Sequence, residues 1–287
     1  MRAQSTLSRP LRISGVGLHT GRHVEALLSP APADHGVVFY RSDVDLFVPA
    51  LIEEAGALDH ATTLGPRGHE VGTVEHLLSA AVGLGLDNLL VEVNGPEVPV
   101  LDGSALPWVK AIRHAGLVRQ AAPIRPFTPP RSMTLTGSGG KRIEVRPARE
   151  LRITYTIDFA HPAVGRQSIT VVPTPDSYAR HLAPARTFGF LAEYEALKAH
   201  GLARGASMTN CIVVGAEGVE NGALRFPDEF VRHKALDLVG DLALVGRPVL
   251  AHVIVQRGGH ALHAQLARAL RDELVAAAPA ALPAAGK

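Results

Sequence analysis

The sequence predicts an α+β fold in two halves, and three observations carry that expectation. Runs rich in Val, Ile, Leu or Phe, bounded by Gly, Pro or Asn, recur through the whole chain and read as strands. Helical stretches fall between them without strict β-α-β alternation, which argues against a doubly wound parallel sheet. Residues 120–132, QAAPIRPFTPPRS, hold four prolines and no apolar periodicity, the signature of a linker.

In chain order, VEALLSP, GVVFYRS and NLLVEVNGPEVPVL read as strands of the first half. Before the last of them lies TVEHLLSAAVGLG, an expected helix with Thr73 as its N-cap and Gly83 and Gly85 as stop signals. A short helix is expected from Trp108 to Ala115. Beyond the linker, SMTLTG, KRIEVRP, ELRITYTIDF and QSITVVP are successive strands. FGFLAEYEALKAHGL then reads as a helix ending at Gly201, CIVVG as a short strand and residues 227–245 as a helix. PVLAHVIVQ reads as a strand, and a last helix is expected from Ala261 to Ala276. The tail AAAPAALPAAGK is low in complexity and is expected to fray. No repeat is visible at the level of letters.

Composition narrows the function classes. At 287 residues, 46% hydrophobic and 20% charged, the chain can bury a proper core. Its 29 basic and 27 acidic residues leave a net charge of +2 and no run of like charge, so nucleic acid is not an expected partner. The single cysteine, Cys211, excludes an internal disulfide and reads as a small buried core residue. The N-terminal stretch lacks the apolar run of a signal peptide and no segment is long and apolar enough to span a bilayer, so a cytoplasmic protein without stable membrane insertion is expected. Fourteen histidines exceed ordinary usage, and histidine is the commonest metal-binding side chain.

Several motifs fail on inspection. GSGGKR at 137–142 lacks the first glycine of a phosphate-binding loop and has Arg142 where Ser or Thr is needed. GVGLHTG at 15–21 spaces its last glycines too widely for a dinucleotide fingerprint. Neither a G-x-S-x-G elbow nor an H-E-x-x-H pair is present.

RFPDEFVRHKALDLVGDLALVG is more informative. His233, Asp237 and Asp241 fall four residues apart, so a helix stacks them along one side, with Lys234 about 100° round from His233. Val231, Ala235, Leu238, Leu242 and Val245 form an apolar stripe beside them. A solvated polar face is the ordinary reading of that pattern. The strip is narrow, however, and a His and Asp at i, i+4 can reach one cation. Imidazole plus carboxylate suits Zn²⁺, whose catalytic sites take three protein ligands. TVEHLLSA offers Glu75 and His76 as a base and a further ligand, and GGHALHAQL offers His260 at a helix start. Taken singly, each of these has an ordinary structural explanation, such as dipole stabilisation, a core imidazole or a cap.

Taken together, GVGLHTG, TVEHLLSA, EVPVLDGSA, TIDFAHPAVGRQ, ARTFGF, RFPDEFVRHKALDLVGDLALVG and GGHAL resemble, in order and spacing, the UDP-3-O-acyl-N-acetylglucosamine deacetylases of lipid A biosynthesis. The resemblance runs from about residue 5 to 275. It implies two domains, each a β-sheet packed on a helix layer, at 1–122 with a small strand insertion and at 133–276 with a βαβ insertion near 187–215. The linker is then 123–132 and the flexible tail 277–287.

The implied reaction is hydrolysis of the N-acetyl group of UDP-3-O-(3-hydroxyacyl)-N-acetylglucosamine with release of acetate, the committed step of lipid A biosynthesis. The implied cofactor is Zn²⁺, with Fe²⁺ an alternative occupant. His76, His233 and Asp237 match the metal ligands, and Glu75 the general base that deprotonates the attacking water. His260 matches the histidine that stabilises the oxyanion or protonates the leaving amine, and Asp241 the carboxylate that holds it. Thr187 matches an oxyanion-hole hydroxyl. Lys234 matches a partner for sugar or phosphate oxygens, while His19 and Phe159 match the nucleotide side. Leu18, Phe188, Phe190 and Leu191 match the acyl passage. The chain is expected to act as a monomer on a UDP-linked acylated amino sugar. It departs from the family pattern at His263, where asparagine is common, and at Ala206, where glycine is common; His263 is expected to face solvent, the alternative being a place near the site where it perturbs the proton affinity of His260. A zinc amidase acting on another N-acylated amino sugar, and a non-catalytic nucleotide- or lipid-binding protein, are the competing readings.

Overall fold

Strand residues alternate between buried and exposed, as in β3, where every second side chain from Val24 to Leu28 is fully buried. That alternation builds two five-stranded sheets. The computed structural model describes residues 2–277 apart from 57 and 59; most of the expected tail, 278–287, lies outside the described residues. The first half runs β1 (Ala3–Leu7), β2 (Leu11–Val16), β3 (His23–Pro30), β4 (Val37–Arg41) and β5 (Leu46–Pro49). It continues with α1 (Glu75–Leu84), β6 (Leu89–Val93), α2 (Leu106–Ala115) and β7 (Leu117–Pro123). The second half begins with β8 (Met133–Thr136), β9 (Arg142–Pro147), β10 (Arg152–Asp158), β11 (Arg166–Val171) and α3 (Pro175–His181). Then come β12 (Phe188–Phe190), α4 (Leu191–Ala199), β13 (Ile212–Val214), α5 (Glu229–Leu242), β14 (Ala251–Gln256) and α6 (His260–Ala276).

The sheet orders are β2-β3-β6-β4-β5 and β11-β10-β14-β9-β8. Written from the other edge, the second becomes β8-β9-β14-β10-β11, and the two halves share one plan. The central strand, β6 or β14, pairs antiparallel with β3 or β9 on one side and parallel with β4 or β10 on the other. A helix precedes each central strand, α1 or α5, and another follows it, α2 or α6. The repeat is absent from the letters because strand pairing asks for alternation, not for particular residues. β12 and β13 pair in parallel with α4 between them.

The helices meet between the sheets. α1 packs on α5, α2 on α1 and α6 on α5, and α5 also rests on β10 and β11. The α1–α5 crossing is close because Gly240 has no side chain; a Cβ there would lie 2.1 Å from the Glu75 carbonyl oxygen. Ser79 ties the same crossing by donating to the Leu236 carbonyl at 2.9 Å, and Tyr178 donates to Ser79 at 2.8 Å. No helix among the described residues is long and apolar enough to cross a membrane.

Several local expectations need correction. Thr73 is not an N-cap: its φ is 57° and its hydroxyl donates to Glu97 at 2.7 Å, so α1 starts at Glu75 without a side-chain cap. Gly83 does not stop the helix but lies within it, where a Cβ would sit 2.3 Å from the Tyr178 ring; Gly85, at φ 72°, ends it. Residues 94–101 are turn and loop rather than strand, because the two prolines of GPEVP cannot donate to a ladder. Phe188–Phe190 is a strand, not helix, since it pairs with Ile212–Val214.

Replacing Gly240 by Ala is expected to destabilise the protein by about 1–3 kcal/mol by overpacking, although alanine is the better helix former by about 1 kcal/mol. Denaturant unfolding measures it; a midpoint equal to or above that of the parent would contradict the close crossing.

Candidate active site and metal centre

Three helices deliver the polar groups to one place: Glu75 and His76 from the start of α1, four residues from α5, and His260 from the first position of α6. The polar stripe of α5 is not wet. His233, Asp237 and Asp241 are 2%, 1% and 2% exposed, and Glu75 and His76 are buried with them. Buried charge is tolerated only where it is paired or holds an ion, so the stripe demands partners.

At its centre, Asp237 Oδ1 lies 3.3 Å from His233 Nε2 and 3.7 Å from His76 Nε2. Among the described residues it has no hydrogen-bond donor, although it is buried. The other oxygen, Oδ2, accepts from Lys234 Nζ at 2.9 Å. His233 Nδ1 meets the Ala185 carbonyl at 3.2 Å, and donation there leaves the Nε2 lone pair facing Asp237. Burial pushes His233 down to about 3 and lowers His76, so both imidazoles are neutral. Burial opposes ionisation of Asp237, yet the Lys234 ammonium and the His260 imidazolium beside Oδ2 hold its carboxyl well below the usual range. An ionised carboxylate oxygen without a donor, between two neutral imidazole nitrogens, fits a divalent cation; the three residues form a group able to hold one.

Glu75 stands beside this group. Thr62 N donates to its Oε2 at 3.0 Å, while Oε1 faces His260 Nε2 across 3.9 Å. Burial lifts the Glu75 carboxyl to about 7, with the His260 charge opposing the rise. His260 Nδ1 lies 3.0 Å from Asp241 Oδ2. Burial disfavours the imidazolium, but Asp241, Glu75 and Asp237 together raise His260 to about 9. The pair of groups is thus poised as base and acid near neutrality. Thr62 donates to Asp241 Oδ1 at 2.5 Å, so one buried threonine orients both Glu75 and Asp241.

Other segments fix the surroundings. Thr187 N donates to the Gly103 carbonyl at 2.7 Å, and a Cβ on Gly103 would lie 2.1 Å from the Asn210 carbonyl oxygen. That is why LDGSA holds a glycine at a φ of +81°. Buried Glu229 pairs with Arg186 at 2.9 Å and secures the chain next to Thr187. Glu97 accepts from the backbone of His19 and Thr20 and from both the Thr20 and Thr73 hydroxyls. The GVGLHTG loop is therefore wrapped round a carboxylate, with Gly17 leaving room for it. Among the described residues His19 Nε2 is buried without a partner, whereas its Nδ1 accepts from Ala203 N at 3.4 Å.

A cavity of about 530 Å³ opens beside these groups. Leu18, His19, Phe159, Thr187, Phe188, Phe190, Leu191 and Lys234 all line it, together with Glu75, His76, His233, Asp237 and His260. Asp241 sits behind His260. The Phe188 ring packs 5.7 Å from Phe159 and 5.0 Å from Phe230, and Lys234 Nζ lies 5.7 Å from its centre. Two expectations fail here. Cys211 is half-buried in the cavity wall rather than in the core. His263 does not face solvent; it is 1% exposed and lies 2.8 Å from Asp241. Sequence reasoning also missed Thr62 and Glu97, which sit in loops where nothing periodic marks them.

The model of the LpxC family, UDP-3-O-acyl N-acetylglycosamine deacetylase, matches residues 4–272. The UDP-3-O-acyl-N-acetylglucosamine deacetylase of Myxococcus xanthus is 46% identical over 94% of this chain and 87% of its own length. Those of Thermosynechococcus vestitus and Solibacter usitatus are also 46% identical, over 95% of this chain and 95% and 92% of theirs.

Substituting His233 by Ala is expected to lower bound divalent metal from near one equivalent to about a tenth or less under dialysis, as loss of a ligand should exceed the 10–100-fold cost of losing a ligand's outer partner. Elemental analysis of the purified variant measures this, and full metal retention would rule His233 out as a ligand.

Proposed function

The chain belongs to the UDP-3-O-acyl N-acetylglycosamine deacetylase family, and we propose that it hydrolyses the N-acetyl group of UDP-3-O-(3-hydroxyacyl)-N-acetylglucosamine, releasing acetate in lipid A biosynthesis. The observation that carries this reading is the buried Asp237 oxygen without a donor between His76 and His233, beside a carboxylate and an imidazole of opposed proton affinity. His76, His233 and Asp237 would hold Zn²⁺, with Fe²⁺ the alternative. When bound, such an ion polarises a carbonyl oxygen and acidifies water.

The remaining chemistry belongs to the chain. Glu75, held through Oε2 by Thr62 N, takes a proton from the attacking water with its free Oε1. The negative charge developing on the amide oxygen is stabilised by the Thr187 hydroxyl and the His260 cation, both in the cavity wall. His260 stands 3.9 Å from Glu75 Oε1, near enough to protonate the departing amine as the C–N bond breaks. Asp241 keeps the imidazole oriented and charged. Lys234 and His19 Nε2, which has no partner among the described residues, supply donors for sugar and phosphate oxygens. Leu18, Phe188, Phe190 and Leu191, along the β12–α4–β13 unit, would receive the acyl chain, and Phe159 the nucleotide side. Every group comes from one chain, which supports action as a monomer. A nucleotide-linked substrate supports a cytoplasmic place of work.

Assay of the acylated UDP-sugar with and without chelator tests the reading: activity should vanish on chelation and return with zinc, and full activity in metal-free protein would sink it. Glu75→Ala should lower kcat by about 10²–10⁴ while metal content stays near one equivalent; a kcat within threefold of the parent contradicts the base assignment.

The pH profile of kcat/KM should be a bell. Glu75 works without its proton, so activity falls as pH drops through its pKa; His260 works with its proton, so activity falls as pH rises through its own. A bound cation lowers both, which places the limbs at or below about 7 and about 9. A rate still climbing above the upper limb would contradict the His260 role.

A further inference from the structure

His263 lies one turn beyond His260 on α6, and its hydrogen-bonding groups are all engaged. Its Nδ1 is 2.8 Å from Asp241 Oδ2, the same oxygen that meets His260 Nδ1 at 3.0 Å. Its Nε2 is 3.0 Å from the Tyr155 hydroxyl, and the two rings meet edge to face, 5.7 Å apart at 89°. Tyr155 stands on β10 and is fully buried. The backbone of Gly258 closes over this contact; a Cβ there would lie 2.6 Å from the Tyr155 oxygen and 3.1 Å from His263 Nε2. The room left by that glycine is thus filled by the protein's own side chains rather than by a ligand.

One pattern of protons satisfies every group. An ionised Asp241 only accepts, so both imidazoles donate from Nδ1, and His263 Nε2 accepts from the Tyr155 hydroxyl. Burial favours this state, lowering the proton affinity of His263 and holding Tyr155 as a phenol. Asp241 then receives three donors, Thr62 from α1's flank and two imidazoles from α6, which leaves its carboxylate one orientation. A core filled for packing alone would not need an imidazole and a phenol in matched register.

We propose that His263 and Tyr155 are positioning residues for the deacetylation: Tyr155 sets the His263 tautomer, His263 fixes the Asp241 carboxylate, and Asp241 aims His260 at the reacting amide. The proposal rests on the function read above.

The test compares metal-loaded wild type with His263→Leu, His263→Asn, Tyr155→Phe and the His263→Asn/Tyr155→Phe double variant, measuring kcat and KM on the acylated UDP-sugar and metal content. His263→Leu removes the donor and should lower kcat about tenfold or more with KM within about twofold and metal retained, the scale for losing an orienting partner. His263→Asn keeps an N–H where Nδ1 stood and should recover kcat to within about threefold. Tyr155→Phe should slow the wild type several-fold yet leave the His263→Asn background unchanged, because the asparagine needs no tautomer set. A kcat of His263→Leu equal to wild type overturns the proposal. So does a His263→Asn variant as slow as His263→Leu, or a Tyr155→Phe effect that persists in the asparagine background. Metal-loaded wild type without deacetylase activity would instead overturn the functional reading, and the proposal with it.

Discussion

The closeness of the α1–α5 crossing governs the rest of the structure. Glu75 and His76 come from one helix and His233, Asp237 and Asp241 from the other, and two helices at ordinary separation would leave these groups too far apart to form one cluster. Gly240 permits the approach by letting α5 rest against the Glu75 carbonyl, and Ser79 secures it through the Leu236 carbonyl. Because Gly240 precedes Asp241 and follows Asp237 by three residues, the contact that joins the helices also places both carboxylates.

Burial and charge then act against one another. Dehydration alone would protonate the carboxyl groups and deprotonate the imidazoles. The site escapes that outcome only where an opposite charge or a donor stands close. Asp237 stays ionised because the Lys234 and His260 cations face it, and His260 stays charged because Asp241, Glu75 and Asp237 face it. Glu75 has fewer compensating groups, and its proton affinity rises accordingly. Three carboxylates within one buried cluster therefore differ in behaviour through their neighbours, not through their chemistry.

The α+β class and the strands and helices that frame the cluster were legible in the sequence, because hydrophobic periodicity is a local property. The i, i+4 spacing of His233, Asp237 and Asp241 was legible too, but not its burial: periodicity reports which residues share a face, and only the partner helix decides whether that face is dry. Thr62, Glu97 and Tyr155 were out of reach for the same reason, and so was the burial of His263. Each works through a residue distant along the chain, at 179 positions for Thr62 and Asp241 and 108 for Tyr155 and His263. Thr73 misled because a threonine before a helix ordinarily caps it, whereas here Glu97 claims the hydroxyl.

The shared plan of the two sheets has a mechanical consequence. α1 and α5 occupy equivalent places in the two halves, so the catalytic cluster straddles the seam of a pseudo-duplicated molecule. Neither half alone supplies the proposed ligand set: one contributes a single imidazole, the other an imidazole and a carboxylate. An ion held by all three would be a rivet between the halves, its binding energy spent partly on keeping them docked. Metal occupancy and the cohesion of the molecule would in this way be one equilibrium seen from two sides.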